Sequence, residues 1–456
     1  MVERFLSLLA RLGVLALLAA SSAHAAPAAS EARVERGRYL AVAGDCAACH
    51  TQAGKTPFSG GVPIASPLGT IYSTNITPSA AAGIGSYTQE EFSRALRRGV
   101  RADGSHLYPA MPYTAYAKLS DADTADLYAY FMHGVKADDT APPKTALPFP
   151  FNVRLSMAFW NTLFLDTDVY RPDASRSAEW NRGGYLAQGL AHCGTCHTPR
   201  NFLMAEKPEL YLQGGSLGTW YAPDITPGKA GWDHASLVDY LRTGHAKNGA
   251  TAGGPMLEAI DKSFSKMAPQ DIRAIATYLA DVPGPAHGAA QASAQASAPA
   301  PAPVKAVAAG DVAEMAGAIG KGERLYRNNC ASCHQAGGEG MRGLPALRAH
   351  TVLRYPSADN VAMAVLEGVW PEEGQGMPGF AAELSDSEVA EVSNYAMAAF
   401  GNSAVRIDAA RVAELRQGGA ASPLLLLARA GMGAGVVALL VLVWWLARRR
   451  RRKQRR

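Results

Sequence analysis

Apolar and polar residues alternate with a helical period in three separate stretches of the chain. These are Asp123 to Phe131, Gln270 to Leu279 and Asp386 to Ala398. In the last stretch Val389, Val392 and Ala396 fall on one helical face. Ser385 and Glu388 have the spacing of a capping box just before it. The pattern therefore predicts three amphipathic helices, well separated along the 456 residues.

A second set of short amphipathic segments precedes these helices. They are Arg36 to Ala41, Arg182 to Ala187 and, in a looser version, Lys321 to Tyr326. Each runs into a Cys-x-x-Cys-His pentapeptide, and the three pentapeptides lie 147 and 137 residues apart. A chain of this length has room for about three domains of roughly 100–150 residues each. The pattern predicts three tandem helical repeats.

The two ends of the chain are apolar in different ways. Residues 1–25 resemble a signal peptide, since arginines flank a short apolar run and Ala23-His24-Ala25 suits cleavage. From Ala430 to Ala447 no residue is charged, and the run closes with Trp444 and Trp445. We expect a membrane helix over 424–447 and, by the positive-inside rule, a basic cytoplasmic tail over 448–456.

The two junctions between repeats also differ in composition. Residues 284–310 are rich in Ala, Pro and Ser and predict an extended linker that lets the third repeat move. The junction at 141–175 instead carries large apolar side chains between Phe149 and Phe164. Such a stretch is either packing between domains or a docking surface for a partner subunit.

Charge excludes one class of partner. The whole chain has a formal net charge of +5, but much of this lies at the two ends. Without the signal peptide and the basic tail, 34 basic side chains face 38 acidic ones, a net of −4. A surface of this sign is a poor match for nucleic acid.

The pentapeptides use all six cysteines of the chain. Two thiols one helical turn apart can form thioethers with the two vinyl groups of a haem, and the adjacent histidine can then ligate the iron. A redox dithiol or half a zinc site is the alternative for any single motif. Three motifs with no cysteine left over favour three covalent haem c groups. The predicted attachment residues are Cys46, Cys49, Cys193, Cys196, Cys330 and Cys333, with His50, His197 and His334 as iron ligands.

Methionines are the candidates for the opposite iron ligand, which would close the metal and suit it to electron transfer. Met111 and Met377 each precede a proline in a loop before the last helix of their repeat. The second repeat offers both Met256 and Met267. Alignment of the terminal helices places Met267 where the other repeats have a core leucine, so Met256 is the predicted ligand.

Three further residues have weaker signals. Asn75 and Asp224 lie in matching turns after the haem motifs, where an Asx turn is the default interpretation. Pro345 can present its carbonyl oxygen to the ring of His334 and so orient it.

The whole arrangement resembles the tri-haem cytochrome c subunit of bacterial membrane-bound dehydrogenases, which include quinoprotein alcohol dehydrogenase and flavin-dependent gluconate and sorbitol dehydrogenases. The resemblance rests on the segments 36–41, 108–113, 149–164, 191–200 and 254–256 around the haem motifs. It implies an all-α fold of three cytochrome c domains over 32–140, 176–283 and 311–402. It also implies close contacts of Gly37 with Tyr130, Gly183 with Tyr278 and Gly322 with Tyr395.

The resemblance implies an electron-transfer subunit that is not itself catalytic. A separate flavoprotein or quinoprotein dehydrogenase would supply electrons, and ubiquinone or another respiratory acceptor would receive them. The protein would lie on the periplasmic side of the inner membrane, held by its C-terminal anchor. A subunit of a terminal oxidase or another respiratory complex, and a haem enzyme such as a peroxidase, are the alternatives.

Overall fold

The computed structural model describes residues 31–228, 232–282, 311–341, 344–348, 350–420 and 422–454. The predicted signal peptide (1–25) and the predicted linker (284–310) lie outside the described residues. So do the last two residues of the predicted basic tail.

Each repeat begins and ends with a long helix. The first repeat contains α1 (31–43), α2 (Cys46–His50), β1 (Pro63–Ser66), β2 (Gly69–Tyr72), α3 (Gln89–Arg98), α4 (Tyr113–Tyr116) and α5 (Asp121–His133). After the junction helix α6 (Ser156–Phe164), the second repeat contains α7 (Ala178–Gln188), α8 (Cys193–His197), β3 (Gln213–Ser216), β4 (Tyr221–Asp224), α9 (His234–Thr243), α10 (Gly254–Lys262) and α11 (Pro269–Ala280). The third contains α12 (Asp311–Asn329), α13 (Ala331–His334), α14 (Asp359–Glu367), α15 (Asp386–Phe400) and α16 (Ala409–Arg416), followed by α17 (Leu424–Gln454). One-turn 3-10 helices lie at Pro208–Leu210, Phe264–Lys266 and Thr351–Arg354.

The three predicted terminal helices are confirmed as α5, α11 and α15, and each runs one to two residues further at one or both ends. Their starts follow from local chemistry. The Ser120 hydroxyl accepts from the backbone N–H of Asp123, and Ser385 with Glu388 forms the predicted capping box. Pro269 stands in the first turn of α11, where its missing N–H costs nothing.

A glycine brings the first and last helices of each repeat into close contact, as predicted. A Cβ atom at Gly37 would lie 1.9 Å from the carbonyl oxygen of Asp126 and 2.7 Å from the Tyr130 Cβ. At Gly183 the corresponding distance to the Ala274 oxygen is also 1.9 Å. Gly322 meets the backbone of α15 in the same way, with the Glu391 oxygen at 2.2 Å. Only a residue without a side chain fits at these crossings.

The fold is helix-rich as predicted, with two short antiparallel hairpins that the sequence did not indicate. In one, Pro63 pairs with Tyr72 and Ser66 with Gly69. In the other, Gln213 pairs with Asp224 and Ser216 with Tyr221. Both hairpins follow a Cys-x-x-Cys-His motif, and a carbonyl group in or just after the second strand of each contacts the histidine of that motif.

The first two repeats share one hydrophobic core. Buried side chains from both repeats form a single cluster that includes Leu119, Leu127, Leu186 and Ile275. The third repeat has its own cluster around Leu353, Met363 and Val389. The apolar junction contributes a small third cluster, in which Trp160 packs with Tyr113 and Ala205.

The C-terminal helix α17 leaves the body of the protein. Among the described residues it is the helix long and apolar enough to cross a membrane, over Leu424–Arg448, with a mean hydropathy of 2.2. None of its apolar window is buried against the rest of the chain. The Arg448 guanidinium lies 4.0 Å from the centre of the Trp444 ring, which places the first residue of the basic tail beside an interfacial aromatic.

Candidate haem sites

Each pentapeptide forms a single helical turn or little more. The cysteines and the histidine stand at i, i+3 and i+4, so the turn brings all three to one face. In the first two repeats the turn begins after a residue in the left-handed region, Asp45 (φ 50°) and His192 (φ 37°). The third turn begins differently, with Cys330 itself as the helix cap at φ −117°.

Backbone carbonyl groups orient all three histidines. The Nδ1 atom of His50 lies 2.6 Å from the Thr74 oxygen, and that of His197 lies 2.8 Å from the Pro223 oxygen. His334 makes the same contact with Pro345 at 3.1 Å, as predicted. A carbonyl can only accept, so Nδ1 must carry the proton and Nε2 keeps its lone pair. These rings are therefore prepared to bind a metal through Nε2.

Burial reinforces this state. It lowers the pKa of His50 and of His197, although the carbonyl contact of each ring opposes the shift. Both imidazoles are then neutral near pH 7, which is the form that ligates iron.

The sequence pattern singled out Asn75 and Asp224, which directly follow two of these carbonyl groups. Asn75 Oδ1 accepts from the Thr77 N–H and Asp224 Oδ1 from the Thr226 N–H, both at 2.9 Å, so both are Asx turns as predicted by default. Asn75 also donates to the Asp138 oxygen at 2.7 Å. The turns fix the direction of the chain where the preceding carbonyl meets the histidine. This orienting role of Thr74 and Pro223 was missed.

The segments that lead to Met111 and Met256 have the same construction, although Met256 itself lies in the first turn of α10. Gly99 and Gly244 end their helices in the left-handed region. Their carbonyl oxygens accept from the N–H groups of Leu107, at 2.7 Å, and Ala252, at 2.8 Å. The two methionines each stand four residues after that donor. In the third repeat Met377 pairs directly with Val369 through two backbone hydrogen bonds of 2.8 and 2.9 Å.

Met267 has a different environment from Met256. It stands just before the cap of α11 and is 5% exposed, within the shared core. Leu119 holds the same place before α5 and is fully buried. Met256 instead lines a cavity together with His197. The geometry supports Met256 over Met267, and the ligand role of all three methionines stays a prediction.

One large cavity joins the second and third haem motifs. Its volume is about 1090 Å³, just above the range of about 300–1,000 Å³ that small-molecule sites occupy. Ala43 and Asp45 of the first repeat and Trp220 of the second also line it. Its walls include every predicted haem residue of the second and third repeats, namely Cys193, Cys196, His197, Met256, Cys330, Cys333, His334 and Met377. The residues present therefore fit a large prosthetic group held by thiol and imidazole.

Comparison with known proteins identifies the class. The cytochrome c family model matches residues 34–134, and a model described as cytochrome c oxidase, cbb3-type, subunit III matches residues 317–395. The fructose dehydrogenase cytochrome subunit of Gluconobacter japonicus is 41% identical, over 91% of this chain and 90% of the relative. The chain belongs to the cytochrome c subunits of bacterial dehydrogenases.

Other cytochrome subunits match over similar lengths. The gluconate 2-dehydrogenase cytochrome c subunit of Pantoea cypripedii is 38% identical over 89% of this chain and 95% of its own length. The cytochrome c subunit of the quinone-type alcohol dehydrogenase of Gluconobacter oxydans is 36% identical, over 91% and 88%. Cytochrome c domains carry covalently attached haem c, so that cofactor follows from the family.

The environment of the thiols differs from that of a redox dithiol. Burial raises the pKa of Cys46 and of Cys193 to about 12 and that of Cys330 to about 11. Catalytic dithiols have lowered pKa values instead. Within the described ranges, no three His, Cys, Asp or Glu side chains gather as a metal cluster would require.

Two partly buried polar residues beside the cytochrome motifs had no sequence signal. Asp45 Oδ1 is buried without a hydrogen-bond partner, and burial together with the nearby Glu258 raises its pKa to about 8. At the equivalent position of the second repeat, burial lowers the pKa of His192 to about 4. The His192 ring packs edge-on to Tyr116 at 5.8 Å. Burial thus favours the neutral form of the side chain at both of these equivalent positions.

Proposed function

We propose that this chain is the electron-transfer subunit of a membrane-bound dehydrogenase and carries three covalent haem c groups. The carrying observation is the threefold recurrence of one arrangement, in which a Cys-x-x-Cys-His turn has its histidine oriented by a backbone carbonyl. The domains proposed are 32–140, 176–283 and 311–402.

Each side chain of the repeated arrangement has a distinct part. The cysteine pairs hold the prosthetic group covalently, and His50, His197 and His334 ligate its iron through Nε2. Met111, Met256 and Met377 would supply the second protein ligand of the iron, which would exclude exogenous ligands and raise the reduction potential. When bound, haem c supplies a one-electron iron couple.

A separate catalytic subunit is the proposed electron donor. The relatives are named as cytochrome subunits of fructose, gluconate and alcohol dehydrogenases, which supports a flavoprotein or quinoprotein partner acting on an alcohol, a sugar or a sugar acid. Ubiquinone or another respiratory acceptor would take the electrons. No catalytic residue is assigned to this chain.

Membrane attachment is proposed through α17. Its apolar window is wholly exposed, as a lipid-facing helix requires, and the basic run from Arg448 favours a cytoplasmic C-terminus. The haem-bearing body would then stand on the periplasmic face of the inner membrane, held by this anchor.

One observation favours a second candidate function. The oxidase subunit model matches the third repeat, although it covers only 317–395. Purification from membranes with native partners separates the two functions. Co-purification with a flavoprotein or quinoprotein dehydrogenase is the expected result, and co-purification with oxidase subunits would contradict the proposal. A lone protein with peroxidase turnover would also contradict it.

The ligand assignment is tested within one repeat. Met256→Leu should lower the midpoint potential of one of three haems and let it bind carbon monoxide, because the sixth position opens. Met267→Leu is the matched control and should leave the spectrum and the potentials unchanged. The opposite pattern would move the ligand to Met267, and a haem count other than three per chain would refute the number proposed.

A further inference from the structure

The junction helix α6 has one face without a partner. Leu155, Phe159 and Leu163 follow one another by one turn each and are 73%, 68% and 52% exposed. The other face is packed, since Trp160 is buried against Tyr113 and its indole N–H donates to the Leu203 oxygen at 3.0 Å. Packing between domains therefore accounts for only half of this helix.

Two more apolar side chains extend the exposed face toward the start of the junction. Phe149 is 55% exposed and Val153 is 44% exposed. Single exposed apolar residues are ordinary on a protein surface, whereas a contiguous group marks an interaction site. We call the five residues the junction patch: Phe149, Val153, Leu155, Phe159 and Leu163.

A direct contact ties the junction patch to the start of α17. The Arg429 guanidinium donates to the Phe149 carbonyl oxygen at 3.3 Å. A second contact lies nearby in the chain, where the Ser422 N–H donates to the Pro67 oxygen at 3.3 Å. The beginning of the anchor helix is therefore held against the first repeat and the junction.

The depth of Phe149 follows from this contact. The uncharged run from Ala430 to Ala447 is 18 residues long. At 1.5 Å per residue it spans about 27 Å, close to the thickness of a hydrocarbon core of about 30 Å. Arg429 then stands at the lipid–water interface, where its charge is tolerated. Phe149, hydrogen-bonded to it, stands at the same depth.

The charge of the junction suits lipid. Between residues 145 and 165 the chain carries one charged side chain, Arg154, and no acidic one. Arg154 is turned toward the protein, where it donates to the His106 oxygen and covers the Tyr108 ring. An apolar helix face without acidic residues is suited to the headgroup region of a bilayer, which often contains anionic lipids.

We propose that the junction patch is a second membrane contact, lying in the interfacial layer of the bilayer that α17 spans. The inference rests on the proposed anchoring by α17. The anchor prevents release, and the patch fixes how the haem-bearing body is turned toward the membrane surface.

The test uses the full-length, haem-loaded protein. Its native cysteines are all haem-linked under the proposed function, so an introduced cysteine is its single reactive thiol. Phe159→Cys is labelled with a polarity-sensitive fluorophore and reconstituted into phosphatidylcholine–phosphatidylglycerol vesicles with or without brominated acyl chains. Val437→Cys, in the middle of α17, reports on the anchor, and Glu179→Cys, at an exposed acidic residue, reports on water.

The proposal expects brominated lipid to quench the Phe159 and Val437 probes by about half or more, because the patch lies within about 5–10 Å of the acyl chains. The Glu179 probe should not change. Leu163→Cys repeats the test at an independent position of the patch.

Each other outcome overturns the proposal in a distinguishable way. Quenching at Val437 with none at Phe159 and Leu163 removes the second contact and leaves the anchor intact. Absence of quenching at Val437 removes the anchor itself. Quenching at Phe159 that disappears when the dehydrogenase complex is assembled assigns the patch to the catalytic subunit instead of lipid.

Discussion

The two interfaces between repeats are built from different chemistry. The first interface joins repeats one and two through buried apolar side chains and reciprocal hydrogen bonds. The Tyr39 hydroxyl donates to Asp271 at 2.6 Å, and at the equivalent positions Tyr185 donates to Asp123. Leu119 packs near Gly189 within the shared core. The contacts repeat in both directions, as they do across an isologous dimer interface.

The second interface joins repeats two and three through polar groups and a few aromatic contacts. Trp220 packs against the core of the third repeat, and the Tyr221 ring lies 6.1 Å from the Tyr355 ring. The Asn360 amide donates to the Tyr221 oxygen at 2.9 Å and accepts from the Tyr221 N–H at 2.7 Å. Glu372 forms ion pairs with Lys262 and Lys266.

The difference indicates how each repeat depends on its neighbours. A shared apolar core makes the first two repeats one cooperative unit, since neither can unfold without exposing the surface of the other. The third repeat has its own core. For this reason we expect its interface with the second repeat to determine where the third repeat lies more than how stable its fold is. We therefore expect damage at the first interface to spread across two repeats and damage at the second to stay local.

The largest expected effect is that of Leu119→Ala. Removing a fully buried leucine from a shared core costs about 2–5 kcal/mol. The loss should lower the unfolding temperature of repeats one and two together, as followed by limited proteolysis and by the haem absorbance. Leu353→Ala, in the core of the third repeat, is the matched control and should release that repeat alone. Separate unfolding of repeat one in Leu119→Ala would break the comparison.

Asp271→Asn should have the next largest effect and alters the pH response. Burial opposes ionisation of Asp271, but hydrogen bonds from Arg182 and Tyr39 outweigh it and lower its pKa below the usual 3.8. A lowered acid pKa stabilises the fold above the unfolded pKa, and this contribution is lost as the pH falls through the folded value.

Asp271→Asn should therefore cost about 1.5–3 kcal/mol at pH 7. It should also flatten the decline of stability in acid below about pH 4, as measured by thermal unfolding across pH. An unchanged acid profile would show that Asp271 does not carry this pH dependence.

Asn360→Ala probes the second interface at its most buried polar contact. It leaves the N–H and carbonyl groups of Tyr221 without partners, at a cost of about 1–3 kcal/mol. Hydrogen exchange should accelerate in β4 and α14 while the first repeat stays protected. Faster exchange in α5 would show that the two interfaces are coupled after all.

Glu372→Gln should have the smallest effect. Its ion pairs are about half exposed, and pairs of this kind contribute about 0–1 kcal/mol. The change should be visible at low salt and vanish at high salt, because screening already weakens the pairs. A large, salt-independent loss of stability would show that the ion pairs of Glu372 contribute more than half-exposed pairs usually do.

The sequence predicted those parts of the molecule whose signals are local. The apolar face and the Ser385–Glu388 capping box predict helix α15. The spacing of Cys, Cys and His predicts the role of the pentapeptides. Met256 could be preferred over Met267 because the position before a terminal helix repeats three times. The glycine crossings came from family resemblance, and the structure confirms them.

What the sequence missed depends on distant backbone groups. The carbonyl groups of Thr74 and Pro223 reach histidines 24 and 26 residues away, and a carbonyl has no side-chain signature. The hairpins have strands of only four residues, too short for a period of two to stand out in the sequence. Tyr39 meets Asp271 across 232 residues, so that pair is visible only when two repeats are packed together.

The hydrogen bond at each histidine Nδ1 also has a consequence for the entropy of metal binding. A free imidazole interconverts between two tautomers and rotates about two torsions, and a metal that binds it must select one arrangement from many. Here the polypeptide makes that selection while it folds, through the carbonyl groups of Thr74, Pro223 and Pro345. The entropy lost on ligation is correspondingly smaller. Under the proposed function, each ring would then meet the iron with its tautomer and orientation already determined.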